Sequence, residues 1–299
     1  MTELFPLSDA VMRTLTAAGL EVADVRRVVI TALAEDLRYG PDATTASTVP
    51  EDARAVAELT PRVAGVVAGV PVARAVFDAV LGADYEVVSS REDGSRPAVG
   101  EPVLVVRGPV RGLLTAERTA LNLLCQLSGV ATATAAWVDA IEGTGAAVRD
   151  SRKTTPGLRL LQKYAVRRGG GVNHRMGLGD AVLIKDNHVV AAGSVTAALA
   201  AAREHAPKLP CEVEVDNLDQ LEEALAAGAD EVLLDNFTPE QCAKAVARRG
   251  EVAPDTRLES SGGLTLDRAR AYAESGVDYL AVGALTHSAP ALDLGMDLR

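Results

Sequence analysis

Residues 212–237 read EVEVDNLDQLEEALAAGADEVLLDNF, and this stretch decides the fold of the chain. The short Val- and Leu-rich runs at 212–215 and 231–235 have the length and composition of buried strands. Between them, apolar residues recur at helical spacing among Glu and Ala. A strand, a helix and a second strand in this order predict a βαβ unit with two parallel strands.

The same alternation extends through the second half of the chain. Strands are predicted at residues 146–150, 181–185, 212–215, 231–235, 257–260 and 279–283. Helices are predicted between them, at about residues 194–206, 217–228, 238–249 and 265–276. Successive strand ends from Lys185 to Gly283 are 21 to 29 residues apart, which is the repeat of a βα unit. Because five or six units follow one another without a GxGxxG turn, the pattern favours a parallel α/β barrel over a doubly wound sheet.

The first part of the chain has a different pattern. Residues 22–37 predict an amphipathic helix, and residues 44–73 alternate apolar and polar positions with Pro and Gly, which is typical of short strands and tight turns. Further predicted elements are a helix at 71–81 and strands at 85–90 and 102–110. This part therefore predicts a small α+β unit, and residues 112–140 after it predict a pair of buried helices.

Composition and charge exclude several classes of function. Hydrophobic residues make up 48% of the chain, which is typical of a globular protein and not of a disordered one. The formal net charge is −11 and aromatic residues make up only 3%, so a nucleic-acid partner is not expected. The same charge disfavours an anionic membrane surface, and residues 119–138, although uncharged, are too polar for a bilayer span.

The cysteines and the N-terminus indicate the compartment. Cys125, Cys211 and Cys242 form no CxxC pair or metal-ligand spacing, which favours a reducing environment. The first residues, MTELFPLSDAV, contain acidic residues and Pro6 in place of the basic start and apolar run of a signal peptide. A cytoplasmic protein is therefore expected.

Polar residues end the predicted strands. Lys185, Glu214, Asp235 and Glu259 each follow an apolar run. In a parallel barrel the carboxyl ends of all strands meet at one mouth, where catalytic groups lie. A charged residue can simply end a strand, but four of them at one buried rim require a ligand or an ion-pair network.

Positive charge is concentrated in residues 149–185, which contain nine basic residues against two acidic ones. Arg167 and Arg168 are typical of a solvated face. The strings SRKTTPGLR (151–159) and GGGVNHRMG (169–177) instead place cationic side chains among Gly, Pro, Ser and Thr. Loops of this composition bring backbone N–H groups and Arg side chains to phosphate or carboxylate oxygens. The segment therefore indicates a pocket for a small, highly anionic ligand.

Two glycine-bearing turns, at 260–263 and 282–284, follow the last predicted strands. Late βα loops that open onto helix N-termini are the usual phosphate sites of barrels. With the carboxylates of Glu214 and Asp235, which suit ribose hydroxyls or Mg²⁺, they indicate a phosphorylated sugar. Two alternatives stay open on these residues alone. One is an aldolase that uses Lys185 as a Schiff-base nucleophile, and the other is a non-catalytic barrel that binds anions in regulation or transport.

Longer strings carry a specific resemblance. SRKTTPGLRLLQKYAVRRGGGVNHRMGLGDAVLIKDNH (151–188), the stretch at 212–237 and LESSGGL (258–264) resemble the quinolinate phosphoribosyltransferase family, also called carboxylating nicotinate-nucleotide pyrophosphorylases. ERTALNLLCQLSGVAT (117–132) and YLAVGALTHSAPALDLGMDL (279–298) match in position as well. The resemblance covers nearly the whole chain.

The resemblance implies a fold and a reaction. The fold is α/β, with an N-terminal α/β sandwich domain (1–118), an incomplete, TIM-like parallel α/β barrel (119–286) and a C-terminal segment (287–299) that packs back on the N-terminal domain. The enzyme would transfer a phosphoribosyl group from phosphoribosyl pyrophosphate to quinolinate with loss of CO₂, using Mg²⁺. Its products would be nicotinate mononucleotide and pyrophosphate, in de novo NAD biosynthesis. A phosphoribosyltransferase-like paralogue linked to molybdenum transport shares this fold and stays open.

The resemblance also implies roles for individual residues. Those expected at quinolinate are Arg118, Arg152, Lys153, Thr154, His174, Arg175 and Lys185. Those expected at phosphoribosyl pyrophosphate are Lys153, Lys185, Glu214, Asp235, Ser261, Gly262, Gly263, Val282, Gly283 and Ala284. Those expected to be catalytic are Lys153, Lys185, Glu214 and Asp235.

Three further expectations concern the metal, the assembly and the rim of the site. Glu214 and Asp235 are also expected at the metal, in part through ligand or water. Arg118 is expected to come from the neighbouring subunit of a homodimer. Two roles stay open for three further residues: they either contact the ligand or form hydrogen bonds at the rim. These residues are Asp216, Glu259 and His287.

Overall fold

The computed structural model describes residues 6–299, which divide into two compact units. The first unit contains the residues up to Ala135 together with Thr154–Gly170 and Thr286–Arg299. The second contains Ala136–Lys153 and Gly171–Leu285. The prediction that the N-terminus is not a signal peptide rests partly on residues 1–5, which lie outside the described residues.

The elements follow one another in the order expected for a mixed α/β protein. The helices are α1 (Asp9–Ala17), α2 (Val22–Asp36), α3 (Ala43–Thr48), α4 (Val70–Leu81), α5 (Val110–Ala140), α6 (Arg159–Arg168), α7 (Asp186–Ala192), α8 (Val195–His205), α9 (Leu218–Ala226), α10 (Pro239–Val252), α11 (Ala269–Glu274) and α12 (Ala284–His287). The strands are β1 (Arg54–Pro61), β2 (Glu86–Ser90), β3 (Leu104–Pro109), β4 (Ala147–Arg149), β5 (Val182–Ile184), β6 (Cys211–Val215), β7 (Glu231–Asp235), β8 (Arg257–Ser261), β9 (Tyr279–Ala281) and β10 (Leu294–Leu298).

The first unit is built on a four-stranded antiparallel sheet in the order β10-β1-β3-β2. β10 pairs with β1, so that Ala57 lies opposite Leu298 and Pro61 lies opposite Leu294. Helices α1 and α2 pack against α4, whose Phe77 is fully buried. The structure confirms the helices predicted at 22–37 and 71–81 and the strands predicted at 85–90 and 102–110.

The strand region predicted at 44–73 begins differently in the structure. Residues 43–48 form helix α3, because Asp42 caps the helix and accepts a hydrogen bond from the backbone N–H of Thr45 at 2.9 Å. The Thr- and Ser-rich composition of this stretch suits a strand as well as a short capped helix, and the cap decides between them.

Residues 112–140, predicted as two helices, lie in the single 31-residue helix α5. The apolar pattern of the sequence breaks at Gly129. The structure requires a glycine there because the C-terminal segment passes close to α5. A Cβ at Gly129 would lie 2.9 Å from the Cα of Ala291. The glycine thus makes room for the C-terminal segment without interrupting the helix. The domain boundary expected at residues 118 and 119 falls inside this helix.

The second unit contains a six-stranded sheet in the order β4-β9-β8-β7-β6-β5, and every neighbouring pair is parallel. The six strands predicted for this half are all present, and α8, α9, α10 and α11 fill the gaps where helices were predicted. Within the described residues, β4 and β5 are not hydrogen-bonded to each other. The sheet therefore stays open, as expected for an incomplete parallel barrel.

The two faces of this parallel sheet differ in polarity, because the side chains of a strand alternate between faces. One face carries the buried residues Val148, Ile184, Val213, Val232, Leu234, Leu258 and Leu280. Helices α8, α9 and α11 contact these strands and cover that face. The other face carries Arg149, Glu212, Glu214, Glu231, Asp235, Arg257, Glu259, Ser261 and Tyr279. The strand register sets Glu212 beside Glu231 and Asp235 beside Ser261, so polar residues of neighbouring strands lie side by side on this face.

Helix α5 is the one helix in the described part of the chain that is long and apolar enough to cross a membrane. Its most apolar 18-residue window is 61% buried within the protein. A core helix passes the same test of length and composition. The three cysteines are free, and two of them, Cys211 and Cys242, are buried.

Candidate active site

Four polar side chains lie at the carboxyl ends of adjacent strands in the second unit. Lys185 directly follows β5, Glu214 lies in β6, and Asp235 and Ser261 end β7 and β8 beside each other. The Nζ of Lys185 is 2.5 Å from the Oε2 of Glu214. The parallel sheet thus brings Lys185, Glu214 and Asp235 to one edge, as the strand-end pattern predicts.

Asp235 lies among charges of both signs. Burial raises the pKa of Asp235, and the nearby carboxylates of Glu214 and Asp216 raise it further, while Lys185 and Lys153 lower it. Lys153 therefore acts electrostatically on the same edge, although it precedes β5 in the chain. Two lysines and three carboxylates therefore act on one another at this edge, and Asp216 is one of the three carboxylates.

Two arginines supply concentrated positive charge. Burial lowers the pKa of Arg175, and the neighbouring guanidinium of Arg152 lowers it further, so the two cations lie close together. The Nη1 of Arg175 donates to the carbonyl oxygen of Ala181 at 3.1 Å, and its buried Nε has no acceptor among the described residues. Because like charges repel and a buried donor is costly until it is paired, the arrangement favours an anion with several oxygens.

His174 links these arginines to the sheet. The backbone N–H of Arg175 donates to the Nδ1 of His174 at 2.7 Å, and the Nε2 of His174 is 2.7 Å from the Oε2 of Glu212. The backbone N–H of His174 donates at 2.9 Å to the Oδ1 of Asp150, which is fully buried. His174 is thus fixed on three sides by the protein.

Two buried carboxyl groups lie next to the imidazole of His174. The side chains of Glu212 and Glu259 are 6% and 0% exposed, and the Oε1 of Glu259 is 3.9 Å from the Nε2 of His174. Burial raises the pKa of each carboxyl to about 8, and the charge of neighbouring glutamates adds to this rise. At neutral pH this pair therefore retains a proton that an exposed glutamate has lost.

Arg149 balances part of this buried negative charge. Its Nη1 is 2.7 Å from the Oε2 of Glu259, and it forms a second ion pair with Glu231. Its guanidinium carbon lies 3.6 Å from the centroid of the Tyr279 ring. Cation–π contact and two carboxylates thus hold Arg149 on the polar face.

Most of this buried layer is not predicted from the sequence. Arg149 stands out there only as one residue of the basic segment, the role of Glu259 stays open, and neither Glu212 nor Glu231 is singled out. The signal is the spacing of charges two residues apart, as in Glu212 and Glu214 of EVEV. Once a run is known to be a strand, this spacing places both side chains on one face.

The turn after β8 is held against the end of β7. Gly262 and Gly263 have φ angles of +90° and +59°, which favour glycine. A Cβ on Gly262 would also lie 2.7 Å from the Cγ of Asn236. Asn236, itself at φ +56°, donates from Nδ2 to the Oδ2 of Asp235 at 2.7 Å. The turn predicted to bind phosphate is therefore packed directly beside a strand-end carboxylate.

The turn after β9 contains Val282, Gly283 and Ala284. The backbone N–H of Val282 donates to the carbonyl oxygen of Arg149 at 2.9 Å, and α12 begins at Ala284. Both glycine turns therefore lie at carboxyl ends of strands in the same sheet, where anion-binding loops of α/β barrels lie.

Some predicted residues belong to the first unit. Arg118 is exposed on α5, and the Oγ1 of Thr154 accepts a hydrogen bond from the Nε of Arg159 at 3.1 Å. His287 is exposed as well, and its Nδ1 is 2.6 Å from the Oγ of Ser288.

The basic segment 149–185 also divides between the units. The basic residues that lie on α6, in the first unit, are Arg159, Lys163, Arg167 and Arg168. The Nη2 of Arg168, expected on a solvated face, donates to the carbonyl oxygen of Ala18 at 2.6 Å. The prediction of a solvated Arg168 was wrong, because an arginine in the last turn of one helix can reach a carbonyl group at the end of another, here the end of α1.

Two groups of side chains have the donor atoms of a metal site. Glu214 and Asp235 offer carboxylate oxygens, the ligands that Mg²⁺ prefers. The donor atoms of His174, Glu212 and Glu259 lie within 4.8 Å of one another. Both groups already have partners: His174 is hydrogen-bonded to Glu212 and Glu259 is paired with Arg149, while Glu214 is paired with Lys185. Glu214 and Asp235 suit Mg²⁺ better because they offer oxygen ligands only.

The arrangement also bears on the aldolase alternative. The side chain of Lys185 is 46% exposed and its Nζ is paired with Glu214. A Schiff-base lysine must attack as a neutral, desolvated amine, whereas this ion pair holds a charged ammonium group. Lys185 is therefore suited to donate hydrogen bonds to an anion.

Comparisons with known proteins agree with this geometry. The family models for the N-terminal and C-terminal domains of quinolinate phosphoribosyl transferase match residues 42–128 and 130–297. A nicotinate-nucleotide pyrophosphorylase (carboxylating) from Mycobacterium leprae (strain TN) is 60% identical over 274 residues, which cover 91% of this chain and 96% of the relative. The protein of the same name from Homo sapiens is 43% identical over 237 residues, 78% of this chain and 79% of the relative.

Solved structures give the same result. The nicotinate-nucleotide pyrophosphorylase from Francisella tularensis superposes with a TM-score of 0.88 at 38% identity, covering 94% of this chain and 98% of that one. Because both domain models and these relatives match, the chain belongs to the quinolinate phosphoribosyl transferase family.

Proposed function

We propose that the protein transfers the phosphoribosyl group of phosphoribosyl pyrophosphate to quinolinate, with decarboxylation, in de novo NAD biosynthesis. The products are nicotinate mononucleotide, pyrophosphate and CO₂. The observation that carries this proposal is the closeness of two like charges, Arg152 and Arg175, on the sheet whose edge holds Lys185, Glu214 and Asp235, in a member of this family. That edge offers cations for two polyanions and carboxylates for a sugar.

Quinolinate has two adjacent carboxylates, and planar guanidinium groups bind such groups with a fixed orientation. Arg152 and Arg175 supply these groups, and the buried Nε of Arg175 offers a donor that lacks an acceptor within the described residues. Lys153 and Lys185 add charge between the two substrates. Thr154 is proposed as a further contact to quinolinate.

Phosphoribosyl pyrophosphate is proposed to lie along the strand ends. Lys153 and Lys185 face its pyrophosphate, and Glu214 and Asp235 face the ribose hydroxyl groups. The residues proposed to hold its phosphates are Ser261, Gly262, Gly263, Val282, Gly283 and Ala284. Their support is the position of both glycine turns at the strand ends.

Mg²⁺ is the proposed cofactor, and within the described residues Glu214 and Asp235 fit it best. Glu214 and Asp235 lie on adjacent strands, and the pKa of Asp235 is raised by burial and by nearby carboxylates, so a divalent cation would relieve their repulsion. When bound, such a cation would neutralise charge on the pyrophosphate.

The chemistry requires positioning more than proton transfer. The C1–oxygen bond to pyrophosphate breaks with its electron pair on oxygen, and the ring nitrogen of quinolinate bonds to C1. Lys153 and Lys185 stabilise the leaving pyrophosphate, and Glu214 and Asp235 stabilise the cationic sugar. The resulting pyridinium accepts the electrons of the C2–carboxylate bond as CO₂ leaves, and a proton from solvent then replaces the carboxylate at C2.

The decisive experiment mixes the purified protein with quinolinate, phosphoribosyl pyrophosphate and Mg²⁺ and measures nicotinate mononucleotide and CO₂. We expect both products in equal amounts. Binding of the substrates without turnover would favour the transport-linked paralogue, which the family assignment does not favour. A borohydride-stable adduct on Lys185 with a carbonyl substrate would favour the aldolase instead.

We also propose a cytoplasmic homodimer in which Arg118 of each subunit completes the quinolinate site of the other. The exposure of Arg118 on α5 and the closed two-fold symmetry of most dimers support this arrangement. The net charge of −11 disfavours nucleic acid and anionic membranes as partners.

The shared site is tested with two inactive variants, Arg118→Ala and Lys185→Ala, under conditions that let subunits exchange. In a mixed dimer one site receives both defects and the other receives neither, so a fraction of the wild-type activity should return. If mass spectrometry shows exchange while activity stays at zero, the shared-site proposal is wrong.

A further inference from the structure

The peptide that carries Arg175 is fixed by a buried acid that follows β4. The backbone N–H of His174 donates to the Oδ1 of Asp150 at 2.9 Å, and the Nδ2 of Asn173 donates to its Oδ2 at 2.6 Å. Asp150 is fully buried, so these bonds are protected from water. The backbone before Arg175 therefore has one defined position, and the side chain of His174 starts from it.

Both ring nitrogens of His174 are engaged, and their partners define the tautomer. The backbone N–H of Arg175 points at Nδ1 from 2.7 Å, so Nδ1 must carry a lone pair and no proton. A neutral imidazole then has its proton on Nε2, which lies 2.7 Å from the Oε2 of Glu212. His174 in this arrangement donates to Glu212 and is uncharged.

The acceptor Glu212 is itself held in place. It lies in β6, between β5 and β7, and is buried. Charged groups from several elements act on this carboxyl group or lie near the ring. They are Arg175 on the segment of His174, Arg149 on β4, Glu214 on β6, Glu231 on β7 and Glu259 on β8, and Arg152 acts in turn on Arg175.

We propose that Glu212 is a positioning residue, which accepts the Nε2 proton of His174 and so fixes the imidazole that orients Arg175. The identity of the substrate as quinolinate rests on the function proposed above. Two consequences follow. The positive charge that binds the quinolinate carboxylates comes from arginine and lysine and not from His174. Loss of the acceptor at position 212 should weaken quinolinate binding and leave the binding of phosphoribosyl pyrophosphate unchanged.

The tautomer is measured directly by ¹⁵N NMR of protein labelled at histidine. The chain has four histidines, His174, His188, His205 and His287, so the spectrum is simple, and His174→Gln assigns the signal of interest. At neutral pH we expect an acceptor-type shift for Nδ1 of His174 and a protonated shift for Nε2. Protonated shifts at both nitrogens, or a proton on Nδ1, would overturn the proposal. This measurement needs no substrate, so it stands even if the proposed function fails.

Two variants at position 212 separate positioning from charge. Glu212→Gln keeps an acceptor oxygen, and we expect it to keep the Nε2–H tautomer and a near wild-type KM for quinolinate. Glu212→Leu removes the acceptor, and we expect the KM for quinolinate to rise about tenfold or more, as for loss of a hydrogen bond of about 1.4 kcal/mol, with the KM for phosphoribosyl pyrophosphate unchanged.

Glu222→Leu is the matched control, because Glu222 lies in the same unit and pairs with Arg248 at the surface. It should change neither KM. Equal changes in both KM values for Glu212→Leu would indicate a merely structural role and would overturn the proposal. If Glu212→Leu does not fold, Glu212→Gln decides: a changed tautomer or a raised quinolinate KM in this variant would contradict positioning by an acceptor oxygen.

Discussion

The two sheets of this protein use ion pairs in opposite ways. In the four-stranded sheet, Arg107 on β3 lies opposite Glu86 on β2 at 2.9 Å, and their side chains are 52% and 64% exposed. In the six-stranded sheet, Arg149 on β4 pairs with Glu259 on β8 at 2.7 Å, and these side chains are 12% and 0% exposed. The same two residue types are surrounded by water in one sheet and largely shielded from it in the other.

This difference decides what each pair implies. An exposed pair contributes about 0–1 kcal/mol to stability, so it says little about function. A buried pair carries a desolvation penalty that its own attraction repays only with additional hydrogen bonds. Fold stability therefore does not explain why one face of the parallel sheet is charged while the other is apolar. The charged face is explained by the anions that it is proposed to bind.

The largest effect should come from removing the buried cation. Arg149→Ala leaves Glu259 and Glu231 without their common partner, so we expect the free energy of unfolding to fall by about 3–5 kcal/mol. Urea denaturation followed by circular dichroism at pH 7 measures it. A loss below about 1 kcal/mol would mean that the buried pair behaves like an exposed one and would remove the contrast between the sheets.

The next effect concerns ligand binding by the charged face. Arg175→Ala removes one guanidinium group that is proposed to bind a carboxylate of quinolinate, and we expect binding to weaken by about 2–5 kcal/mol. Isothermal titration calorimetry with quinolinate measures the affinity. Arg270→Ala, which removes an exposed pair with Glu274 in the same unit, is the control and should leave the affinity unchanged. Wild-type affinity in Arg175→Ala would contradict the proposed site.

A smaller effect is the pH dependence of stability. Glu212 and Glu259 have their pKa raised from 4.5 to about 8, so the folded protein keeps a proton that the unfolded chain releases above about pH 4.5. The free energy of unfolding should therefore fall as the pH rises from about 4.5 to about 8, by at most about 1.4 kcal/mol per pH unit for one proton.

Two variants test the source of this slope in urea titrations across that range. Glu259→Gln removes one titrating group and should flatten the decline, whereas Glu86→Gln in the antiparallel sheet should leave it unchanged. Identical slopes in the wild type and Glu259→Gln would show that the buried pair is not responsible.

The smallest effect should come from the exposed pair. Arg107→Ala removes the partner of Glu86, and we expect a loss of about 0–1 kcal/mol, because water solvates the remaining carboxylate. The same urea measurement applies, with added salt reducing the difference further. A loss as large as that of Arg149→Ala would show that burial is not what separates the two sheets.

The sequence predicts the parallel sheet well because its signals are local. Each strand is a short apolar run. The segments between these runs have the length of one helix, which indicates a βα repeat. The strand-end residues Lys185, Glu214 and Asp235 follow from this, since parallel strands share one edge. A long-range feature such as the pairing of Arg149 with Glu259 cannot be predicted this way, because it depends on β9 lying between their strands.

The continuity of helix α5 is a second feature that the sequence does not predict. A glycine inside an apolar helix reads as a break, yet Gly129 lies in mid-helix because the C-terminal segment passes against it. In the basic segment, Arg168 was predicted on a solvated face, yet its side chain donates to the backbone carbonyl oxygen of Ala18 in the first unit. Both errors arise because backbone groups far away in the chain decide the outcome.

The pairing of β1 with β10 has a consequence for biosynthesis. Their partner residues are at least 233 residues apart, so the ribosome makes the entire second unit before β10 can add to the antiparallel sheet. Until then β1 is an unprotected edge strand, a template for pairing with other nascent chains. Truncation of the last strand would reopen this edge, and the expected defect is aggregation in the cell, although no residue proposed for catalysis is removed.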